Sequence, residues 1–312
     1  MIELLTGLLG HAVLSGSVLA LAALGEVIAE RSGVTNLGVE GLMSLGAVVA
    51  VMTVAAIPHP WVGLLMAGLV GGLGAGVLAL ASVVLRANQV LCGVAVTFLG
   101  LGLSATIGRP VAGMPVPVIF EPVSVPVLSS IPVIGPAFFA QNILVYFIYL
   151  FLPLIVHFWL FRTRYGLDLR AVGENPAAVD AVGVPVTKLR VMAVMIGGIL
   201  AGFAGADLTL AVVPVWSDGM IAGRGWIAVA LVIFAGYRPV WAVASGLLFG
   251  LVTAIGFMGQ ARGWPVAPAV LNTLPYLGTI GCIIVPILAF PRLRRAMAAP
   301  AALATPYHRT GR

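Results

Sequence analysis

The chain predicts an all-α, polytopic membrane fold of about nine spans (eight to ten), and three observations carry that prediction. Apolar residues make up 61% of the 312 positions, charged residues only 8%, and the mean hydropathy is +1.14; soluble domains run about 45–50% apolar and about 25% charged. The apolar residues gather into runs of bilayer-crossing length, about 20 residues each. The 39 glycines and 21 prolines point to closely packed, locally broken helices, common in polytopic proteins. A water-soluble enzyme, a disordered chain and a nucleic-acid binder are excluded.

The expected spans are 4–25, 40–57, 61–85, 90–108, 142–161, 191–213, 219–236, 240–257 and 267–290. The seventh is the weakest, because Asp218, Arg224 and several glycines crowd its start. No basic stretch precedes the first, so it is expected as a span rather than a cleavable signal peptide. Thirteen of the sixteen Lys and Arg fall on one side: Arg31, Arg86, Arg162, Arg164, Arg170, Lys188, Arg190, Arg238, Arg292, Arg294, Arg295, Arg309 and Arg312. Arg109, Arg224 and Arg262 fall on the other. The basic side is cytoplasmic by the positive-inside rule, which puts the N-terminus outside and the C-terminus inside. Residues 1–295 read as a single transmembrane domain, and the Ala/Pro-rich 296–312 as a disordered cytoplasmic tail.

Two loops exceed connector length. The outer one, 109–141, holds seven prolines and almost no charge, so it either packs on the outer face or receives an external partner. The inner one, 162–190, carries a compact helix signal: Asn175 as cap, Pro176 at the first helical position and Gly183 as stop. Ala177, Ala178, Val179, Ala181 and Val182 lie between, with Asp180 as the only charge. A helix of about two turns does not persist alone in water, so it packs either on the membrane surface or in a groove of a partner.

Small residues four apart (Gly68/Gly72/Gly76, Gly198/Gly202/Ala206, Gly246/Gly250) suit close helix packing in lipid. GGLGAG (71–76) imitates a dinucleotide fingerprint but lies inside a span with no preceding strand. Two glycine-rich segments, ERSGVTNLGVEG (30–41) and SDGMIAGRG (217–225), break the start of spans entered from opposite sides. They read either as the broken helices of an inverted repeat lining a pathway or as tight turns between helices. Asp207 lies in the outer half of its span, where a charge costs roughly 2.5–3.5 kcal/mol on insertion scales; it lines the pathway, pairs with Arg224 or sits at the interface. Asn36, Glu40, Asn88 and Gln89 form an inner gate or serve as caps and interhelical bonds. Asp218 and Arg224 belong to the outer break. Glu26, Glu30 and Arg31 are expected as interfacial charges. Cys92 and Cys282, and the four histidines, show no ligand spacing, so no catalytic or metal-binding residue is assigned.

GLDLRAVGENPAAVDAVGV (166–184), followed by a Gly/Ala-rich span and AGRGWIAVALVIFAGYRP (222–239), resembles permease subunits of bacterial ABC importers of the branched-chain amino acid, simple-sugar and nucleoside type. GEVIAERSGVTNLGVEGLMSLGA (25–47) is most similar to the nucleoside branch, whose binding proteins are basic membrane lipoproteins. The three motifs stand in matching order over residues 20 to 255. The resemblance implies a plasma-membrane permease whose segment Gly173–Gly183 seats on an ATPase, with Arg170, Gly173, Glu174, Asn175, Pro176, Ala178, Asp180 and Gly183 as coupling residues. It also implies ATPase subunits that bind the ATP, a second paralogous permease, a substrate-binding lipoprotein and a small polar solute, with nucleosides ahead of branched-chain amino acids and simple sugars. One departure stands out: Asp207 lies where such permeases usually carry an uncharged aromatic residue.

Independently of the resemblance, the chain has no Walker motif, since its one lysine, Lys188 in GVPVTKL, lacks the GxxxxGK[ST] context. The competing class is a stand-alone secondary transporter or channel, which would not explain the capped inner helix. An intramembrane enzyme is disfavoured, with no HExxH and no Ser matched to a His on neighbouring spans.

Overall fold

The computed structural model describes residues 2–289 and 298–308. The basic residues Arg292, Arg294, Arg295, Arg309 and Arg312, and the end of the last expected span, lie outside the described residues. Among the described residues, seven helices are long and apolar enough to cross a membrane: α1 (Ile2–Arg31), α2 (Val39–Ala56), α3 (Pro60–Val84), α4 (Gln89–Ile107), α5 (Ile143–Arg162), α8 (Val186–Val212) and α10 (Pro239–Ala261). The inner loop forms α6 (Arg164–Glu174) and α7 (Pro176–Ala181). Beyond α8 come the short α9 (Arg224–Phe234) and the 22-residue α11 (Pro268–Ala289).

These seven do not confirm the expected count of nine, and the last expected span, 267–290, is the helix α11 with its end outside the described residues. The expected seventh span, 219–236, is an irregular segment followed by the 11 residues of α9, a helix of about 16 Å against a hydrocarbon core of about 30 Å. Asp218, Gly219 and Gly223 prevent an earlier start: Gly219 and Gly223 take φ of 70° and 79°, outside the helical region.

Backbone contact between small residues sets the layout. A Cβ on Gly71 would collide with the Gly198 carbonyl, and one on Gly202 with the Ala67 carbonyl, which brings α3 and α8 together. GGLGAG is thus a helix-packing stripe. Gly46 meets Gly202, Gly25 meets Gly197, and Gly246 and Gly250 meet Gly16. Helix α1 is consequently enclosed by α8 and α10, and nearly every residue from Gly16 to Glu30 is buried. The outward-facing α4 and α5 expose Leu91, Phe98, Leu154 and Phe158, the pattern of lipid-facing helices.

The proline-rich loop packs on one end of the bundle. Its strands Pro122–Ser124 and Ala140–Asn142 pair antiparallel, and Gly113, Val116 and Phe120 donate backbone N–H bonds to Trp216, Pro214 and Leu210. At the other end, Arg31 donates to the carbonyls of Tyr237 (2.9 Å) and Gly236 (3.3 Å), and Arg190 to that of Ser32 (3.2 Å). The tail departs from expectation: residues 298–308 are packed against this arginine-rich end, with Ala302 buried. Its order comes from backbone hydrogen bonds, which Ala/Pro composition does not reveal.

Candidate functional site

The two glycine-rich breaks meet. After Arg31 the chain turns back beside α1 instead of leaving the bundle, and Asn36 donates to Glu26 Oε1 at 2.8 Å while accepting from the Gly38 N–H at 3.1 Å. Thr35 N–H donates to Gln89 Oε1 at 3.0 Å, and Thr97 Oγ1 to the Leu37 carbonyl at 2.8 Å. The turn thereby lowers the start of α2 into the bundle. Glu40, in the first turn of α2, accepts from the N–H groups of Gly223 and Gly225, each at 2.7 Å. Its carboxylate caps the N-terminus of α9, where orphan N–H groups and the helix dipole favour negative charge. Arg224 stands beside Glu40 and donates to the carbonyls of Met220 (2.7 Å) and Ile221 (3.0 Å). The 11 residues of α9, about 16 Å of helix, separate this joint from the Gly236 and Tyr237 carbonyls that Arg31 holds.

Asp207 is fully buried, with Oδ2 2.6 Å from Ser17 Oγ and Oδ1 without a partner. Its hydrogen-bond partner is Ser17 on α1 rather than Arg224, so of the three readings of this residue the pair with Arg224 is not formed. Ser17 Oγ also lies 2.7 Å from the Leu14 carbonyl, so its one proton serves one acceptor at a time. A π-helical stretch, Leu208–Val212, follows Asp207 directly, an irregularity frequent at functional sites.

Two cavities border these groups. A cleft of about 520 Å³ at the end remote from the arginines is lined by Glu3, His11, Ser15, Val213, Phe257 and Arg262 among others. A cavity of about 250 Å³ is lined by Arg224, Thr253, Phe257, Gln260 and Tyr276 among others. Phe257 belongs to both walls.

In the inner loop, Asn175 Oδ1 accepts from Ala178 N–H at 3.1 Å, Pro176 begins α7 and Gly183 takes φ 86° just past its end, which is the expected cap, first position and stop. Val179 turns inward onto Val172, Val186 and Leu189. Ala177, Ala178, Ala181 and Val182 face outward, Val182 being 78% exposed. The other assigned residues are structural neighbours: Arg170 donates to the Leu160 carbonyl (3.0 Å) and stacks 4.7 Å over Phe161. Gly173 touches the Arg31 carbonyl, and Glu174 accepts from Ala301 N–H at 3.2 Å. Asp180 lies half-buried on α7.

Of the expected gate residues, Asn36 and Gln89 hold the buried turn and Glu40 holds the start of α9, whereas Asn88 is an exposed cap of α4 accepting from Leu91 N–H. Asp218 is exposed on the irregular segment. Glu26 and Glu30 are buried inside the bundle rather than interfacial, and each keeps one oxygen without a partner. Arg190, counted as a rim cation, is buried too. The signal for the glutamates was their spacing of four with apolar residues on either side, which continues the helix of the first span to Arg31. Burial, then the nearby Glu30 charge, pushes the Tyr237 phenol up, and Arg31 opposes both. Among the described residues no group of three His, Cys, Asp or Glu could hold a metal ion.

Residues 8–280 match the family described as branched-chain amino acid transport system / permease component. A Haloferax volcanii protein provisionally named a glucose ABC transporter permease, TsgC13, is 39% identical over 97% of this chain and 98% of its own. The nucleoside ABC transporter permease protein NupC of Lactococcus lactis is 36% identical over 84% of this chain and 86% of its own. The guanosine ABC transporter permease protein NupQ of Bacillus subtilis is 32% identical over 90% and 94%. No solved structure matches.

Proposed function

Since the chain belongs to the branched-chain amino acid transport system permease family of ABC transporters, we propose that it moves nucleosides into the cell as one of two membrane subunits, with ATP hydrolysed on separate ATPase subunits and the solute delivered by an extracytoplasmic lipoprotein. The observation that carries the coupling part is α7: a capped helix too short to stand alone, held by Val179 and presenting Ala177, Ala178, Ala181 and Val182 outward. An apolar tip of that size suits a groove on the ATPase. Nucleoside transport by two relatives supports the substrate class. The solute would enter by the 520 Å³ cleft, pass Phe257 and reach Arg224 in the smaller cavity, with the Glu40 joint closing the way inward.

Ala178→Arg tests the reading. It places a charge at the apolar tip, at a cost of several kcal/mol if the tip is desolvated on docking. Membrane levels should be normal, ATPase should no longer co-purify and uptake should vanish; retained uptake overturns the assignment. The sugar reading is favoured by the 39% identical relative, so excess guanosine, and not glucose, should compete with labelled nucleoside uptake. In a background lacking Cys92 and Cys282, an impermeant thiol reagent should reach a cysteine at 262 and not one at 188 in intact cells. The reverse would invert the orientation.

A further inference from the structure

Residues 298–308 lie across two loops at once. Ala302 N–H donates to the Gly173 carbonyl at 2.9 Å and Ala304 N–H to the Gly33 carbonyl at 3.2 Å. Ala301 N–H donates to Glu174 Oε2 at 3.2 Å. Arg190 Nη1 donates to the Thr305 carbonyl at 3.0 Å while its Nε donates to the Ser32 carbonyl at 3.2 Å. Tyr307 packs on the cluster of Val172, Val179, Val186 and Leu189. Ala304 takes φ 60°, a conformation that persists in a non-glycine residue only where its surroundings over-determine it.

The positions of these contacts matter more than their number. Gly173 and Glu174 directly precede the Asn175 cap of α7, and Val179 is the buried residue of α7. Ser32 and Gly33 begin the turn that carries Asn36 and leads to Glu40. We infer that residues 298–308 form a strap that fastens α7 to the turn 32–38, so that a displacement of α7 is delivered to the Glu40–α9 joint. Val179 alone leaves the six-residue α7 free to rock on its cluster; the strap joins it to the membrane-buried turn as one body. The hydrogen bonds run through the tail's backbone, with Tyr307 and the buried Ala302 as its packing side chains, so proline at a donor position breaks the fastening.

The inference rests on the importer reading, and the experiment separates the two. Three variants are compared with the full chain in proteoliposomes: a stop after Met297, Ala304→Pro and Ala304→Gly. Proline cannot adopt a positive φ and removes the donor to Gly33, whereas glycine keeps the donor and fits the φ. The stop and Ala304→Pro should insert and still bring the ATPase, yet hydrolyse at least about fivefold more ATP per solute moved, the worth of one lost hydrogen bond between the bodies. Ala304→Gly should match the full chain. An unchanged ratio in both the stop and proline variants overturns the strap. A full chain that brings no ATPase defeats the importer reading instead. Hydrogen exchange then judges the strap: protection at 176–183 and at 32–36 must fall together on truncation, and loss in one segment alone overturns it.

Discussion

The two breaks, 32–38 and 213–223, share a glycine-rich composition and differ in how they are held. In the first, Ser32 and Asn36 are fully buried, and Asn36, Gln89, Glu26 and Thr97 bond to one another or to the backbone of the turn. The second exposes Val213, Pro214, Ser217, Asp218 and Gly219. It is tied at its start to residues 113 and 116 of the proline-rich loop and at its end to Glu40. The first is buried along its length; the second is also anchored between those ties by the buried Trp216 and Ile221, which leaves 217–219 as its exposed stretch. Segments with few buried contacts and exposed backbone open at the lowest free energy, so residues 217–219 make the second break the mobile half of the joint.

The comparison breaks most sharply at Glu40. Glu40→Ala leaves the N–H groups of Gly223 and Gly225 without their acceptor inside the bundle, where an unsatisfied buried donor costs about 1–3 kcal/mol. A loss of about 3–5 kcal/mol is expected by SDS titration of the detergent-solubilised protein. Glu40→Gln, which keeps one acceptor, should lose about half of that. Equal losses would mean that the carboxylate is not bridging the two donors.

Gly225→Ala comes next. Its Cβ would lie 2.6 Å from the Glu40 backbone N and Cα, so α9 must back away from α2. Overpacking of this kind costs about 1–3 kcal/mol, read in the same titration, with reduced uptake at normal membrane levels. Asn36→Ala should cost about 2 kcal/mol by leaving Glu26 and the Gly38 N–H unpaired. That loss should be accompanied by faster exchange at 32–38 and not at 213–219. Exchange rising in both segments would show that they open as one unit.

Much of this was legible in the sequence because it depends on local chemistry. The span lengths follow from apolar runs, the α7 boundaries from Asn175, Pro176 and Gly183, and the breaks from glycine and charge at span starts. What was missed depends on partners distant in sequence. Asp207 and Ser17 are 190 residues apart, and Glu40 and Gly223 are 183 apart. Neither pairing leaves a mark in either segment alone. Glu26, Glu30 and Arg190 read as rim charges because a charge ends an apolar run, although Glu26 and Arg190 lie about one turn inside their helices and Glu30 is covered at the very end of α1. The seventh span failed for the opposite reason: the apolar run of α9 is real, but the residues before it cannot be helical.

The smallest expected effect sharpens the contrast most. Gly219 sits in the exposed stretch of the second break with φ 70°, and a Cβ there meets nothing within 4 Å. Gly219→Ala therefore carries only the backbone cost of a left-handed alanine, about 1 kcal/mol. The exposed stretch 217–219 can relax part of that by shifting. Gly225 faces the opposite situation six residues later, with an allowed helical backbone and no space. The same substitution in the same segment thus separates strain from packing. If 217–219 are loosely held, Gly219→Ala should lower the unfolding midpoint less than Gly225→Ala and leave limited proteolysis at 217–219 as fast as before. A loss as large as that of Gly225→Ala would mean that residues 217–219 are held as tightly as the buried turn, and the assignment of the mobile half would pass to 32–38.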